Sequence, residues 1–204
     1  MNKILICCAC VALSSSAFAS NTMVEGLELG PLAQLIGEWK SKHGVDISPA
    51  QKGSPQGKGT AAVTPFYEVM TFEVAADAKN ASDQYLTSIY YKQEVFRVEN
   101  DTKFHDQRGY LIYDAQKNKV YNSFCVPRAA CVTAEGDAGN TITFRSSKRG
   151  ISESNYLSDN ATTTDFIMNM AIEGDKLTYS QTSSLNIYGK PFAHTDSSTL
   201  FKVN

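Results

Sequence analysis

The chain has 204 residues, which is enough for one domain with a complete hydrophobic core. Its formal net charge is −2 at pH 7 and it has no large basic cluster, so we expect neither a nucleic acid nor an anionic membrane surface as its partner. It also lacks the glycine-rich phosphate loops and the G-x-S-x-G and H-E-x-x-H patterns of common enzyme classes.

Residues 1–19 have the three parts of a secretory signal peptide. Lys3 supplies the positive charge, Ile4–Leu13 form the apolar core, and an A-x-A-like cleavage pattern ends the segment. The apolar stretch is shorter than the about 20 residues that a membrane span requires. We therefore expect a signal peptide over 1–19, a single domain over 20–204, no membrane span, and a periplasmic or secreted protein.

Three segments stand before the main run of strands. Leu29–Ile36 has helical spacing of its apolar residues and predicts a short helix that closes one end of a barrel. Gly37-Glu38-Trp39 follows, and a G-x-W at the start of a first strand is typical of ligand-holding barrels such as lipocalins. Residues 47–64 are rich in Gly and Pro and predict a long mobile loop, which is either a lid or contact loop or a surface insertion.

The remainder of the chain predicts strand after strand. Phe66, Met70, Phe72 and Val74 fall on one face of the first of these strands, with Glu68 as a polar exception on that face. Turn residues separate the later segments at short, regular spacing, so we predict an all-β fold, an antiparallel closed barrel of about 8–10 strands. The later predicted strands are Gln84–Arg97, Lys103–Tyr113, Lys119–Cys125, Ala130–Glu135, Thr141–Ser146, Thr164–Ile172, Lys176–Leu185 and His194–Val203.

Cys125 and Cys131 are the two cysteines that follow the expected signal peptide. In an oxidising compartment such a pair favours a structural disulfide that closes a small loop. The C-x5-C spacing differs from the C-x-x-C of thiol oxidoreductases, and no histidine is near in sequence. We predict the disulfide, with a redox pair and a two-ligand metal site as the alternatives.

Histidine and methionine supply the candidate binding residues. Met168 and Met170 alternate with polar residues on a strand, which favours either an adaptable wall for an apolar ligand or ordinary core. His105 and Asp106 are adjacent, so in a strand their side chains point to opposite faces and do not form a catalytic dyad. We interpret His105 as an exposed or barrel-rim residue.

Several segments, taken in chain order, resemble the nitrobindin family of haem-binding β-barrels, which are similar in form to fatty-acid-binding proteins. The resemblance runs from about Leu32 to Val203, nearly the whole expected domain. The segments that carry it are Leu35-Ile36-Gly37-Glu38-Trp39, Pro65-Phe66-Tyr67-Glu68 with Phe72, Phe104-His105-Asp106-Gln107-Arg108-Gly109-Tyr110, Tyr188-Gly189-Lys190-Pro191, and the closing strand from His194 to Lys202.

This resemblance implies a ten-stranded antiparallel barrel that holds haem b at one open end. It also implies that a histidine of the last strand binds the iron, and His194 is the residue of this chain that matches. His194 is therefore the expected metal ligand and cofactor-binding residue, with Met168 and Met170 as lumen residues of the same site. Nitric oxide binding, and isomerisation of peroxynitrite to nitrate if the protein is an enzyme, are further implications.

Three functions remain open from the sequence. The first is an exported binding module that holds haem or another flat hydrophobic molecule through His194 and the lumen. The second is a haem-dependent peroxynitrite isomerase, which needs an open coordination position on the iron. The third is a haem-free barrel of the cell envelope that binds lipid or a protein partner, with residues 47–64 as its contact loop.

Overall fold

Apolar and polar residues alternate along most of the chain after residue 36, and this period of two produces strands that turn every second side chain toward a common interior. The computed structural model describes residues 21–203, so the signal peptide expected over 1–19 lies outside the described residues. The elements in chain order are β1 (Met23–Val24), β2 (Leu27–Glu28), a 3-10 helix (Gly30–Leu35), β3 (Gly37–Pro49), β4 (Ala61–Val74), β5 (Ala78–Asn80), β6 (Gln84–Arg97), β7 (Lys103–Asp114), β8 (Lys119–Val126), β9 (Ala130–Asp137), β10 (Thr141–Glu153), α1 (Asn155–Asn160), β11 (Ala161–Glu173), β12 (Lys176–Ile187) and β13 (Lys190–Lys202).

Ten of these strands close into an antiparallel barrel. They follow in the order β3, β4, β6, β7, β8, β9, β10, β11, β12 and β13, and β13 pairs back onto β3. β5 is an extra strand on β6, and β1 and β2 form a separate hairpin. The predicted all-β closed barrel is confirmed, and closure joins the first and last barrel strands to each other.

The 3-10 helix covers one end of the barrel. Leu32 and Leu35 of this helix are fully buried, and the indole Nε1 of Trp39 donates a 2.6 Å hydrogen bond to the carbonyl of Leu35. Gly30 begins the helix with a φ of 53°, and a Cβ there would lie 2.6 Å from the ring of Tyr113. A glycine at this position therefore lets the helix pack directly on β7.

The loop predicted over 47–64 is shorter in the structure. β3 continues to Pro49 and β4 begins at its pairing partner Ala61, so the connection comprises only residues 50–60. Within this connection the amide of Ala50 donates to the carbonyl of Thr60 at 2.8 Å, and Ala50 is buried. The predicted bounds are wrong because strand pairing uses main-chain groups, which residues with small side chains provide as well as large ones.

One extra residue in β3 changes which of its side chains face the lumen. Ser41 is paired with Glu68 and Gly44 with Phe66, so three steps along β3 match two steps along β4. This β-bulge moves the inward face of β3 from odd-numbered to even-numbered residues. The side chain of Asp46 therefore points into the lumen, where it is buried.

A short helix that the sequence did not predict, α1, connects β10 to β11. The Oγ of Ser154 caps this helix by accepting a 3.3 Å hydrogen bond from the amide of Leu157. Leu157 packs against the buried residues Leu185 and Ile187. Neither helix within residues 21–203 is long and apolar enough to cross a membrane.

Candidate functional site

Two adjoining cavities lie in the lumen at the end opposite the 3-10 helix. Their volumes are about 80 Å³ and about 140 Å³. Phe124 and Phe166 form part of the wall of the smaller cavity, and Phe66 and Phe104 part of the wall of the larger. Apolar walls with a few converging polar groups are typical of small-molecule sites. The residues that line both cavities are His105, Arg128, Gln181, His194 and Asp196.

His194 faces the lumen. β12 and β13 pair without any register shift, so the even-numbered residues of β13 share one face along the whole strand. Ser198 and Leu200 on this face are buried. His194 precedes them by an even number of residues and therefore lies on the same face. The structure thus gives His194 the orientation that a lumen ligand requires.

The imidazole of His194 lies beside two carboxylates. Its Nε2 is 2.6 Å from Oδ1 of Asp46 and 3.8 Å from Oδ2 of Asp196. Each carboxylate is also held by a neighbour: the Oγ of Ser48 donates to Asp46 at 2.8 Å, and the Nε2 of Gln181 donates to Oδ2 of Asp196 at 3.1 Å. We call Asp46, His194 and Asp196 the Asp–His–Asp cluster.

The members of the Asp–His–Asp cluster shift one another's pKa. Burial raises the pKa of Asp46, but hydrogen bonds with His194, Asp196 and Ser48 and the positive charge of His194 together outweigh burial and hold that pKa below its usual value. Burial lowers the pKa of His194, but the hydrogen bond to Asp46 and the negative charges of both carboxylates reverse this and raise it. Burial raises the pKa of Asp196 to about 7, although the charge of His194 opposes this. The opposite shifts of Asp46 and His194 favour an ion pair between them, and with a pKa of about 7 part of the Asp196 population holds a proton at neutral pH.

His105 is the second imidazole of the lumen. It extends from β7 on the inward face, and its Nε2 is buried without a hydrogen-bond partner in the part of the chain that the structure describes. Burial lowers the pKa of His105, so its imidazole is uncharged at neutral pH. Of the two positions that the sequence left open for His105, exposed or at the barrel rim, the structure agrees with the rim: the side chain is half-buried and lines both cavities at the open end, while Asp106 points outward and pairs with Arg108 at 2.8 Å.

The tip of the β8–β9 hairpin brings a cation to the mouth of the barrel. Cys125 and Cys131 are directly opposite each other on β8 and β9 and form a disulfide, as the sequence predicts. The disulfide clips the base of the turn that carries Arg128. The exposed Arg128 borders both cavities, so it offers a positive charge to anything that enters them.

A layer of polar side chains lies beneath the larger cavity. Glu68 is fully buried, and its Oε2 accepts hydrogen bonds from the Nε2 of Gln93 at 2.6 Å and the hydroxyl of Tyr179 at 3.1 Å. Burial raises the pKa of Glu68, although these hydrogen bonds oppose the shift. The sequence showed Glu68 only as an exception in an apolar pattern. In the sequence, Glu68 could be recognised as a polar residue at an inward position of a strand. The other members of the layer are polar residues at inward positions too: Tyr91, Gln107 and Asn122.

The structure does not bring Met168 and Met170 together with His194. Both methionines are buried in the core, and neither lines the two cavities beside His194. The sulfur of Met168 contacts the amide of Asn122 at 3.7 Å, within the polar layer. Of the two interpretations that the sequence left open for this pair, the geometry agrees with core.

The lumen can be tested for its fit to haem. Nε2 of His194 is held by Oδ1 of Asp46 at 2.6 Å, so this nitrogen is not available to iron while the contact lasts. The ring of Phe66 fills the space over Gly44, where an added Cβ would overlap it. Both cavities are also smaller than the roughly 300 Å³ at which typical ligand pockets begin. In this arrangement the Nε2 of His194 is occupied by Asp46, whereas the Nε2 of His105 has no partner among the described residues and is free to bind haem iron.

Comparison with known proteins agrees with this architecture. Rv2717c from M. tuberculosis has a TM-score of 0.58 at 17% identity, over 85% of this chain and 95% of its own. The S-type phycobiliprotein lyase CPES from Guillardia theta has a TM-score of 0.52 at 12% identity, over 85% of this chain and 90% of its own. No curated protein matches the chain. The model of the THAP4-like, heme-binding beta-barrel domain matches residues 28–202, so the chain belongs to this family and the resemblance to nitrobindins is confirmed.

Proposed function

We propose that the open end of this barrel binds a small, largely apolar molecule, and that haem is the ligand to test first. The observation that carries the proposal is the pair of adjoining cavities, which have apolar walls and share a boundary of polar groups. The family to which the chain belongs is described by haem binding, and this supports haem as the ligand.

His105 supplies the imidazole that is ready to bind iron. Its Nε2 is buried and lacks a partner among the described residues, and an unsatisfied buried polar atom costs free energy that a metal bond would recover. Its lowered pKa keeps the ring uncharged. His194, by contrast, becomes a ligand only after Asp46 releases its Nε2. We expect haem to widen the site by displacing Phe66 from Gly44.

Titration of the haem-free protein with haemin tests this function. We expect a Soret shift that saturates at one haemin per chain. We also expect His105→Ala to weaken haemin binding at least about tenfold, because loss of a side chain that only orients a metal ligand already costs this much, and loss of the ligand itself costs more. His43→Ala is the matched control, since His43 is exposed on the outer face of the barrel. Absence of a Soret shift would overturn haem binding, and loss in His194→Ala but not in His105→Ala would assign the iron to His194.

A second candidate, binding of a lipid or another non-haem molecule in the same cavities, is favoured by their volumes. Cavities of about 80 Å³ and about 140 Å³ match a narrower ligand than a macrocycle. Native mass spectrometry of the purified protein distinguishes the two candidates. A co-purified mass other than haem supports the second, and a co-purified haem or an unloaded chain that binds haemin supports the first.

We also propose that the protein acts in the periplasm or is secreted. The Cys125–Cys131 disulfide supports this location, because such bonds persist in oxidising compartments. The pattern of residues 1–19 supports it independently. A fusion of residues 1–19 to alkaline phosphatase, which is active only after export, tests the location. Peroxynitrite isomerisation would require haem with an open coordination position, and nitrate formation by the haemin-loaded chain tests it.

A further inference from the structure

We propose that the Asp–His–Asp cluster binds a divalent cation of the zinc, iron(II) or manganese(II) class, with His105 available to complete its coordination. This site goes beyond the binding of a small molecule and does not depend on it. It uses residues of the two strands that close the barrel, with no contribution from haem or another ligand.

The first argument is the geometry of the donor atoms. One nitrogen of His194 and one oxygen from each of Asp46 and Asp196 lie within 4.8 Å of one another. A zinc ion binds such atoms at about 2.0–2.2 Å, so it bridges donors that are about 3–4 Å apart. The His194 to Asp196 distance of 3.8 Å lies in this range, and the 2.6 Å between His194 and Asp46 has to widen by about 0.4 Å or more to reach it. The cation would replace the proton that now joins His194 and Asp46.

The second argument is that both carboxylates are already oriented. The hydroxyl of Ser48 holds Oδ2 of Asp46, and this leaves Oδ1 directed at His194. The amide of Gln181 holds Asp196 from the neighbouring strand β12. Hydrogen bonds from surrounding side chains fix metal-binding carboxylates in the same way in known metal sites.

The third argument is independent of the cluster. The Nε2 atom of His105 is buried, has no hydrogen-bond partner within residues 21–203, and belongs to a side chain that lines both cavities bordered by His194 and Asp196. An uncharged imidazole with a free nitrogen is the commonest metal ligand in proteins. His105 lies outside the three donors that are within 4.8 Å of one another, so it would join the ion only as a further ligand from across the cavity.

Charge also favours a cation. Two carboxylates face a single imidazole inside the lumen, and the nearest guanidinium that lines these cavities, that of Arg128, is exposed at the rim. A divalent ion would neutralise Asp46 and Asp196 and leave His194 uncharged. Imidazole suits zinc and iron, and carboxylates suit manganese, so the mixed set selects this class over calcium or magnesium.

Calorimetric titration of the full, haem-free chain with Zn²⁺ after removal of metals by chelator tests the site. We expect one ion per chain. Asp196→Asn should weaken binding at least about tenfold, because it removes a ligand, and Gln181→Ala should weaken it about 10-fold to 100-fold, because it releases Asp196. His43→Ala, which removes an exposed histidine elsewhere, should bind as wild type does.

Asp196→Asn preserves the shape of the side chain and removes one of two neighbouring like charges, so this variant is expected to fold. A second readout uses Co²⁺, whose visible absorption reports nitrogen and oxygen ligation and should change in Asp196→Asn. No stoichiometric Zn²⁺ binding in the wild type, or equal affinity in wild type and Asp196→Asn, overturns the proposal. Haemin titration of the metal-free wild type is a separate measurement, so failure of the cation site and failure of haem binding are distinguishable.

Discussion

Nε2 of His194 lies 2.6 Å from Oδ1 of Asp46, and this ion pair joins β13 to β3 at the seam where the barrel closes. Asp196 is the main-chain pairing partner of Asp46 across the same seam. The β-bulge between Ser41 and Gly44 is the cause of this meeting, because it turns the even-numbered residues of β3 inward. The β-bulge in β3 therefore places Asp46 beside His194 and Asp196 in the lumen.

Asp46→Asn should lower the pKa of His194 and destabilise the chain by about 1.5–3 kcal/mol, the value of a hydrogen bond to a charged group. The raised pKa of His194 gives a stabilisation that is complete below about 6.5 and is lost as the pH rises through the folded pKa. The lowered pKa of Asp46 gives one that is present above about 3.8 and is lost as the pH falls through its folded value. NMR titration of the imidazole and urea unfolding at pH 6 check both effects. An unchanged pKa of His194 would contradict the ion pair.

Asp196→Asn should stabilise the metal-free chain at pH 8 relative to the wild type. The pKa of Asp196 rises from 3.8 to about 7 on folding, so the folded state holds more protons between these values. Wild-type stability therefore falls as the pH rises through this range, and the variant lacks this contribution. Urea unfolding from pH 4 to pH 8 in the presence of chelator measures the difference between the two proteins. A difference that does not vary with pH would show that Asp196 has an ordinary pKa.

Reduction of the Cys125–Cys131 disulfide should cost about 2 kcal/mol or less, because the loop it closes is short and the β8–β9 pairing already restrains it. Urea unfolding with and without reductant measures this cost. The double variant Cys125→Ser with Cys131→Ser is the control and should not respond to reductant. A decrease in the free energy of unfolding well above about 2 kcal/mol would mean that β8–β9 pairing alone does not keep the hairpin folded.

Gly44→Ala should destabilise the chain by about 1–3 kcal/mol, because the added Cβ overlaps the ring of Phe66 in a packed site. The smaller side chain of Phe66→Leu removes this overlap. Combined with Phe66→Leu, the same Gly44→Ala change should therefore cost less than it does alone, which a double-mutant cycle by thermal unfolding measures. Strict additivity of the two changes would show that the residues do not press on each other.

The barrel was predictable because the sequence features that specify it are local to each strand and turn. Alternation along each strand and turn residues between strands appear in the sequence itself, and the Gly37-Glu38-Trp39 start marks where the plug ends and β3 begins. The extent of β3 and β4 was not predictable, since Pro49 and the small residues near Ala61 pair through the main chain alone. Residue composition describes side chains, so it gives no information about these main-chain hydrogen bonds.

The site was predictable only in part. The sequence singled out His194, but its face could not be decided, because one residue of shift in a strand reverses every side chain. The unbroken β12–β13 register decides it. Asp46 and Asp196 were missed because they meet only through barrel closure and the bulge in β3. The inward direction of His105 follows from its strand parity with Gln107 and Leu111, a signal that the sequence did contain.

The most direct test of the central claim, that the open end of the lumen is the binding site, is paramagnetic line broadening by bound ferric haem in backbone amide NMR spectra. The account predicts strong broadening around His105, Arg128, Gln181 and Asp196, with little effect at Leu32 and Trp39 at the closed end. Broadening centred on the outer face around His43, or no selective broadening at all, would contradict it.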